Sequence, residues 1–120
     1  NSILHISHDS EFMPGGAPLI IGSHVTVGHM VTLHGCQIAD YCLIGMGSIV
    51  LDNAVVEEQV MIGAGSLVPG GKRLESGFLY VGSPVKKIRE LTDKEKEFLV
   101  YSAENYHKLA EKHRASAQND

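Results

Sequence analysis

Aliphatic residues recur every six positions through the middle of this chain, and this repeat restricts the fold more than any other feature. The lead position of each hexad is aliphatic nine times in succession: Ile21, Val27, Leu33, Ile38, Ile44, Val50, Val56, Ile62 and Val68. Only the step from Leu33 to Ile38 is one residue short. A period of six matches neither the helical 3.6 nor the alternation of a long strand. The repeat therefore predicts short extended segments separated by corners.

A chain of this kind buries its lead residues by winding into a parallel β-helix. Three hexads form one triangular coil, and the coils stack at the strand spacing of about 4.8 Å. Residues 21–74 supply about three coils. Cys42 lies at an inward small position and is expected to fill the core, whereas the spacing assigns Cys36 no defined place. The predicted fold class is an all-β solenoid of hexapeptide repeats.

The chain after the repeat predicts a turn and a helix. Residues 82–86, Gly-Ser-Pro-Val-Lys, are expected to form the turn by which the chain leaves the β-helix. Thr92 and Glu95 predict a capping box. An amphipathic helix is expected over 93–113, because apolar or aromatic residues recur there at steps of three or four, or close to them: Phe98, Tyr101, Ala103, Tyr106, Ala110 and His113.

These features divide the chain into two predicted units. The β-helix is assigned to residues 1–85, and the exit turn, the C-terminal helix and a frayed tail are assigned to 86–120. Two Pro and two Gly interrupt the repeat within 10–20, so a loop is expected there at a coil corner. The repeat is already running at Asn1 and no Met precedes it, so an N-terminal portion is expected to be missing.

Charge and composition exclude several classes of partner. Residues 1–70 contain six acids and no Lys or Arg, while all ten Lys and Arg lie in 71–120. Phosphate binding needs clustered cations, so no nucleic acid is expected to bind. No apolar run approaches the ~20 residues that span a bilayer, so no membrane partner is expected. Two cysteines do not form a disulfide scaffold, and a cytoplasmic location is therefore expected.

Three histidines can be placed relative to one another by counting hexads. His5 follows Leu4 and His34 follows Leu33. With the loop set aside, Leu4 and Leu33 are three hexads apart, which is one full coil, so His5 and His34 are expected on the same face in adjacent coils. His29 belongs to the preceding face, roughly 16 Å of extended chain from His34. It cannot easily join the other two within one chain.

A neighbouring subunit can supply the third histidine. In a threefold trimer one face of each prism meets a different face of the next, which creates three equivalent sites. Three histidines with an open fourth position form the catalytic zinc pattern. Such a metal lowers the pKa of bound water to about 7. The alternative interpretation is that each histidine is an isolated surface or corner residue.

Several stretches carry a resemblance to a known family. This chain resembles the γ-class carbonic anhydrases, and most closely their bacterial YrdA-like branch. The stretches that carry the resemblance are LHISH, IGSHVTVGHMVTLHGC, IGMGSIVLDNAVV and VMIGAGSLVP. The ending ESGFLYVGSPVKKIRELTDKEKEFLVYSAENY resembles the same branch, so the resemblance covers residues 1–113. Many acyltransferases share the hexad repeat alone. The element GHMVTLHG, with its two histidines and an earlier LH, is much more specific.

The resemblance implies a left-handed β-helix, a homotrimer and zinc at the subunit interfaces, with Fe²⁺ or Co²⁺ as other possible metals. The family's ligands match His5, His34 and, from the adjacent subunit, His29. Its active-site tyrosine best matches Tyr106, with Tyr101 as the second choice. The implied activity is the reversible hydration of CO₂ to bicarbonate.

Departures from the family pattern leave alternatives open. His8 stands where the best-studied branch has a glutamate proton shuttle. The family's Arg-Gly-Asp element and Gln-Asp pair would precede Asn1, and neither is in this sequence. A hexapeptide acyltransferase or CoA thioesterase, with one histidine as general base, is the second hypothesis, and Gly82-Ser83-Pro84 occurs in such enzymes too. A non-catalytic metal-binding or assembly module is the third.

Overall fold

The computed structural model describes residues 10–12 and 18–101, with the backbone alone for 10–12. Short strands connected by corners make up this part of the chain, followed by a helix, α1, that begins at residue 93 and is described as far as 101. The strands are β1 Ser10–Phe12, β2 Leu19–Ile21, β3 Thr26–Val27, β4 Thr32–Leu33, β5 Gln37–Ile38, β6 Leu43–Ile44, β7 Ile49–Val50, β8 Val55–Val56, β9 Met61–Ile62, β10 Leu67–Val68, β11 Arg73–Leu74, β12 Phe78–Gly82 and β13 Val85–Glu90.

The strands form three sheets, which are the faces of a triangular prism. Face 1 contains β2, β5, β8 and β11, face 2 contains β3, β6, β9 and β12, and face 3 contains β4, β7 and β10, all parallel within a face. Each lead residue pairs with the lead residue of the next coil, as Ile21 does with Ile38 and Ile38 with Val56. The fold-class prediction is confirmed, because the chain is a parallel β-solenoid of about three turns with a C-terminal helix.

Two inward columns per face fill the core. Almost all the lead residues are buried, and Leu33 is partly buried and packs against them. The second column contains smaller side chains: Val25, Val31, Cys36, Cys42, Ser48, Ala54, Val60 and Ser66. Cys42 fills the core as predicted. Cys36 does so too, because the short step after Leu33 brings it into the same inward position.

Residues with left-handed backbone conformation close the corners. Between faces 2 and 3 they form a column of Met30 (φ 60°), Gly47 (φ 72°) and Gly65 (φ 69°). The amide of Gly47 donates to the carbonyl of His29 at 2.9 Å, and that of Gly65 donates to the carbonyl of Met46 at 2.8 Å. These bonds join each corner to the corner of the preceding coil.

The expected loop over 10–20 is wrong at both of its ends. β1 pairs antiparallel with β2, and Ser10 lies opposite Ile21 while Phe12 lies opposite Leu19. Among the described residues, β1 is therefore the neighbour of β2 on the side away from β5. Residues 13–17 lie outside the described residues.

The expected exit turn over residues 82–86 contains a turn, but the chain does not leave the sheet there. The chain turns at Ser83 and Pro84, but β13 then pairs antiparallel with β12. It covers the last open edge of face 2, and Val85 is buried where the pair meets the core. The division of the chain after residue 85 stays a prediction.

The predicted capping box opens α1. The amide of Glu95 donates to Oγ1 of Thr92 at 3.1 Å, and the amide of Thr92 donates to Oε1 of Glu95 at 2.8 Å. Arg89 of β13 also donates two hydrogen bonds to this carboxylate, at 2.6 and 2.7 Å. The hydrogen bonds from Arg89 lower the pKa of Glu95 to about 2, and the bond from the Thr92 amide makes a smaller contribution. The helix is therefore tied to the strand that precedes it.

The expected apolar stripe of the helix is not the side that the chain buries. Leu99 is 2% exposed, whereas Phe98 is 49% and Tyr101 is 65% exposed. Periodicity shows that residues share a face but not which face is covered, and here the covered side carries Leu99. Residues 102–113 lie outside the described part. Within 18–101, no helix has both the length and the apolar character needed to cross a membrane.

Candidate metal site

His34 lies on face 3 in the first coil, directly after β4. Because Leu33 points inward, the next residue of an extended chain points outward, and His34 is exposed. Its amide donates to the carbonyl of Val50 at 2.9 Å. The second coil therefore sets the backbone position of this histidine.

His29 lies at the corner between faces 2 and 3, after β3 and before β4. It is exposed, and its carbonyl accepts the Gly47 amide. The preceding residue is bonded to the second coil as well, since the Gly28 amide donates to the carbonyl of Ile44 at 2.9 Å. Hexad counting assigns His29 to the preceding face, and the structure places it just beyond that face, at the corner that leads to β4.

The other predicted site residues lie outside the described part of the chain. These are His5, His8 and Tyr106, so the structure places two of the three predicted ligands. In the ranges it describes, no three His, Cys, Asp or Glu side chains are grouped so that they could hold a metal ion. Tyr101, the second choice for the active-site tyrosine, is exposed on α1. The ligand set stays a prediction.

The side chains of His29 and His34 are suitable metal ligands. Neutral imidazole nitrogen is a preferred ligand of Zn²⁺, Fe²⁺ and Co²⁺. Neither the His29 nor the His34 ring forms a hydrogen bond or an ion pair with any described residue. By contrast, the ring of His24, at the corner between faces 1 and 2, stacks on that of Tyr41 with 5.0 Å between the ring centroids. The rings of His29 and His34 can therefore donate to a metal without breaking an interaction within the described residues.

The outward residues of the parallel strands around this corner carry no formal charge. On faces 2 and 3 the outward residues that flank the lead positions of β3–β4, β6–β7, β9–β10 and β12 are uncharged: Thr26, Gly28, Thr32, His34, Leu43, Gly45, Ile49, Leu51, Met61, Gly63, Leu67, Pro69, Leu79 and Val81. Face 1 differs, because Arg73, Glu57 and Glu75 point outward there. The histidines thus lie beside uncharged parallel strands, and the charged residues of face 2 are on its edge strand β13, next to the last coil.

Face 1 carries a shallow groove that is separate from the histidines. Its volume is about 460 Å³, and Ile20, Gln37, Val55 and Arg73 are among the residues that line it. The guanidinium of Arg73 pairs with Glu57 across this face. Neither His29 nor His34 belongs to the groove.

The cysteines add no ligand. Burial raises the pKa of Cys36 and of Cys42 to about 12. A metal binds the thiolate, and at neutral pH both side chains are thiols enclosed in the core.

The sequence analysis missed two aspartates that link coils. Oδ1 of Asp52 accepts the amide of Gly35, and Oδ1 of Asp40 accepts the amide of Ser23, each at 2.8 Å. Both pairs are separated by 17 residues. In the sequence, each aspartate stands about one coil after the corner residue whose amide it accepts. For Asp52, that corner is the short one after His34.

Known proteins with the same hexapeptide repeat are similar to this chain. The profile described as "Bacterial transferase hexapeptide (six repeats)" matches residues 35–70. Protein YrdA of Escherichia coli (strain K12) is 62% identical over 105 residues, which cover 88% of this chain and 57% of that protein. The chain belongs to the hexapeptide-repeat family and is a homologue of YrdA. Mitochondrial gamma carbonic anhydrase 1 of Arabidopsis thaliana is 44% identical over 115 residues, covering 96% of this chain and 42% of that protein.

A solved structure shows the same fold for this hexapeptide-repeat chain. The crystal structure of a hexapeptide transferase family protein from Anaplasma phagocytophilum has a TM-score of 0.73 and 47% identity, covering 75% of this chain and 54% of that one. The chain spans about half the length of the curated relatives it matches. The resemblance to carbonic anhydrases is confirmed. The chain is also similar to a protein that is named as a transferase family member.

Proposed function

We propose that this chain forms a zinc-dependent, carbonic-anhydrase-like enzyme that interconverts CO₂ and bicarbonate. The observation that carries the proposal is that His29, at the corner between faces 2 and 3, and His34, directly after β4 on face 3, are both exposed beside uncharged parallel strands. A gamma carbonic anhydrase that is 44% identical over nearly the whole chain supports the reaction class. When bound, Zn²⁺ lowers the pKa of a coordinated water towards neutrality.

The chain's own residues would hold and surround that ion. His5 and His34 of one subunit and His29 of the next provide three imidazoles, and Tyr106 lines the site. The second coil fixes the backbone at both described ligands through Val50 and Gly47. Because those bonds exist within one folded chain, the backbone that carries the two ligands needs little reorganisation when the metal binds.

A homotrimer would complete the site. Three prisms that meet along faces 2 and 3 would bury uncharged side chains, among them Ile49 at 39% and Val81 at 38% exposed. Face 1, with Arg73 and Glu57, would stay in water. This distribution supports assembly through the two faces that flank His29.

Metal analysis and subunit mixing test the shared site. Purified protein should hold close to one zinc, iron or cobalt per chain, and His34→Ala should lose it. The proposal fails if wild type holds fewer than about 0.3 metal ions per chain and His34→Ala has the same metal content. His29→Ala and His34→Ala chains should each bind little metal alone.

Mixed trimers of the two variants give a quantitative expectation. A complete site forms only where a chain with intact His29 meets a chain with intact His34. In a random equal mixture this happens at about a quarter of the interfaces, so about a quarter of wild-type metal binding should return. An intrachain site could not recover, because each chain lacks one ligand. No recovery in mixed trimers shown to form would contradict the shared site.

A hexapeptide acyltransferase or CoA thioesterase is the second candidate. The solved relative that is 47% identical carries the name of a transferase family. Such an enzyme would use one histidine as general base. This candidate would be favoured if purified wild type contains no metal and binds acetyl-CoA saturably.

A non-catalytic metal-binding or assembly module is the third candidate, because the chain spans about half of its relatives. CO₂ hydration with and without chelator, in this chain and in longer forms, separates it from an enzyme. A cytoplasmic location is part of the proposal, supported by two cysteines that are buried as thiols.

A further inference from the structure

The corner after His34 is built differently from the other corners of the solenoid. The step from Leu33 to Ile38 is five residues instead of six, so this corner has one residue fewer to complete the turn. Two backbone bonds hold it to the second coil. The His34 amide donates to the carbonyl of Val50 at 2.9 Å, and the Asn53 amide donates to the carbonyl of Gly35 at 2.7 Å.

A side chain supplies the third bond. Oδ1 of Asp52 accepts the amide of Gly35 at 2.8 Å. The amide next to the predicted ligand His34 is therefore held by a carboxylate from the next coil. Because Gly35 has no side chain and its corner is short, this bond restrains the backbone direction in which residue 34 leaves the strand.

We propose that Asp52 is a positioning residue for the metal ligand His34, acting through the amide of Gly35. The proposal rests on the metal site proposed above. A ligand must be held within about 0.5 Å of its working geometry to keep full affinity. Loss of the Asp52 bond lets the short corner relax and moves the imidazole of His34 relative to the other two ligands.

The chain contains a matched control for this effect. Asp40 accepts the amide of Ser23 through Oδ1 at 2.8 Å, across the same separation of 17 residues. Its corner lies between faces 1 and 2, and neither Ser23 nor its neighbour His24 is a proposed ligand. Asp52→Ala and Asp40→Ala each remove one carboxylate and one such hydrogen bond between coils.

The experiment compares metal affinity in wild type, Asp52→Ala, Asp52→Asn and Asp40→Ala. Zinc affinity is measured by competition with a chromophoric chelator, and the visible spectrum of the Co²⁺ form reports ligand geometry. Asp52→Ala should bind zinc about tenfold more weakly and change the Co²⁺ bands. Asp40→Ala should stay within about twofold of wild type. Asp52→Asn keeps a carbonyl acceptor for the Gly35 amide and should also stay within about twofold.

Amide hydrogen exchange tests the structural premise without metal. In metal-free protein, exchange at Gly35 should be about tenfold faster in Asp52→Ala than in wild type or Asp52→Asn. Unchanged exchange at Gly35 would overturn the proposal. Equal zinc affinity of Asp52→Ala and Asp40→Ala would also overturn it.

The outcomes separate this proposal from the function on which it rests. Zinc binding by wild type, with Asp52→Asn as weak as Asp52→Ala, would show that charge and not the hydrogen bond matters, and positioning would be refuted alone. A wild type that binds neither zinc nor cobalt would refute the metal site and the positioning role together.

Discussion

Gly45 provides the sharpest test of how closely the coils of this solenoid approach one another. It follows β6 on face 2, in a strip with Gly28 and Gly63. A Cβ atom added at Gly45 would lie 2.6 Å from the nitrogen of Ala64 and 2.7 Å from the carbonyl oxygen of Ile62. Both are backbone atoms of the next coil, so no side chain can rotate away to make room.

The size of the effect follows from that geometry. An ordinary contact would require the two coils to separate locally by about 0.8 Å in a close-packed structure. Overpacking of this kind costs about 3 kcal/mol. The Gly45 amide also donates to the Ile62 carbonyl at 2.8 Å, and weakening this bond adds about 1 kcal/mol. Gly45→Ala should therefore destabilise the fold by about 3–4 kcal/mol.

Gly65→Ala is the control because its cost has a different origin. Gly65 has φ +69°, and a Cβ atom added there would meet no atom of the described residues within 4 Å. A left-handed alanine costs about 1–2 kcal/mol, and the stiffer unfolded chain offsets about 0.4–1 kcal/mol of this. The net loss should be about 1 kcal/mol.

Urea unfolding at one protein concentration measures both variants under the same assembly conditions. The free energy of unfolding should be lower for Gly45→Ala than for Gly65→Ala by about 2–3 kcal/mol. Equal losses in the two variants would refute the argument that contact between coils, rather than backbone conformation, requires glycine at position 45.

Three further predictions concern the helix and the thiols. Thr92→Ala removes the N-cap acceptor and should lower stability by about 1 kcal/mol, measured by urea unfolding followed by circular dichroism. The pKa of Glu95 is lowered from 4.5 to about 2, so its stabilising contact with Arg89 is complete above pH 4.5 and is lost as the pH falls towards 2; an acid titration of helical dichroism should show this loss, and Glu95→Gln should remove it. Cys36 and Cys42 should not react with a thiol reagent at pH 8 in the folded protein, since burial raises the pKa of each to about 12; rapid colour development without denaturant would contradict their buried positions.

The inward columns could be predicted because they follow from local geometry. In an extended segment neighbouring side chains point to opposite sides, so one aliphatic residue per hexad identifies the inner surface. Ile44 and Val50, chosen by period alone, are 1% and 0% exposed. The same counting assigns His34 to face 3, where the structure places it, and His29 to the preceding face, whereas the structure places it at the corner that follows that face.

The helix shows where a pattern is insufficient. Thr92 and Glu95 predict the start of α1 correctly, because a capping box involves residues only three apart. The buried side of the helix depends on its orientation to the solenoid. The period places Phe98 and Tyr101 on one stripe, whereas in the described part of the helix it is Leu99 that this chain buries.

The solenoid, its inward columns and the position of His34 could be predicted from the amino-acid sequence, since each depends on residues a few positions apart. The strands at the edges of the sheets and the hydrogen bonds that hold the short corner could not be predicted in this way. β1 pairs antiparallel with β2, β13 pairs antiparallel with β12, and Asp52 accepts a hydrogen bond from the Gly35 amide across 17 residues. These contacts depend on which groups neighbouring coils bring together, and that register exists only once the chain has wound.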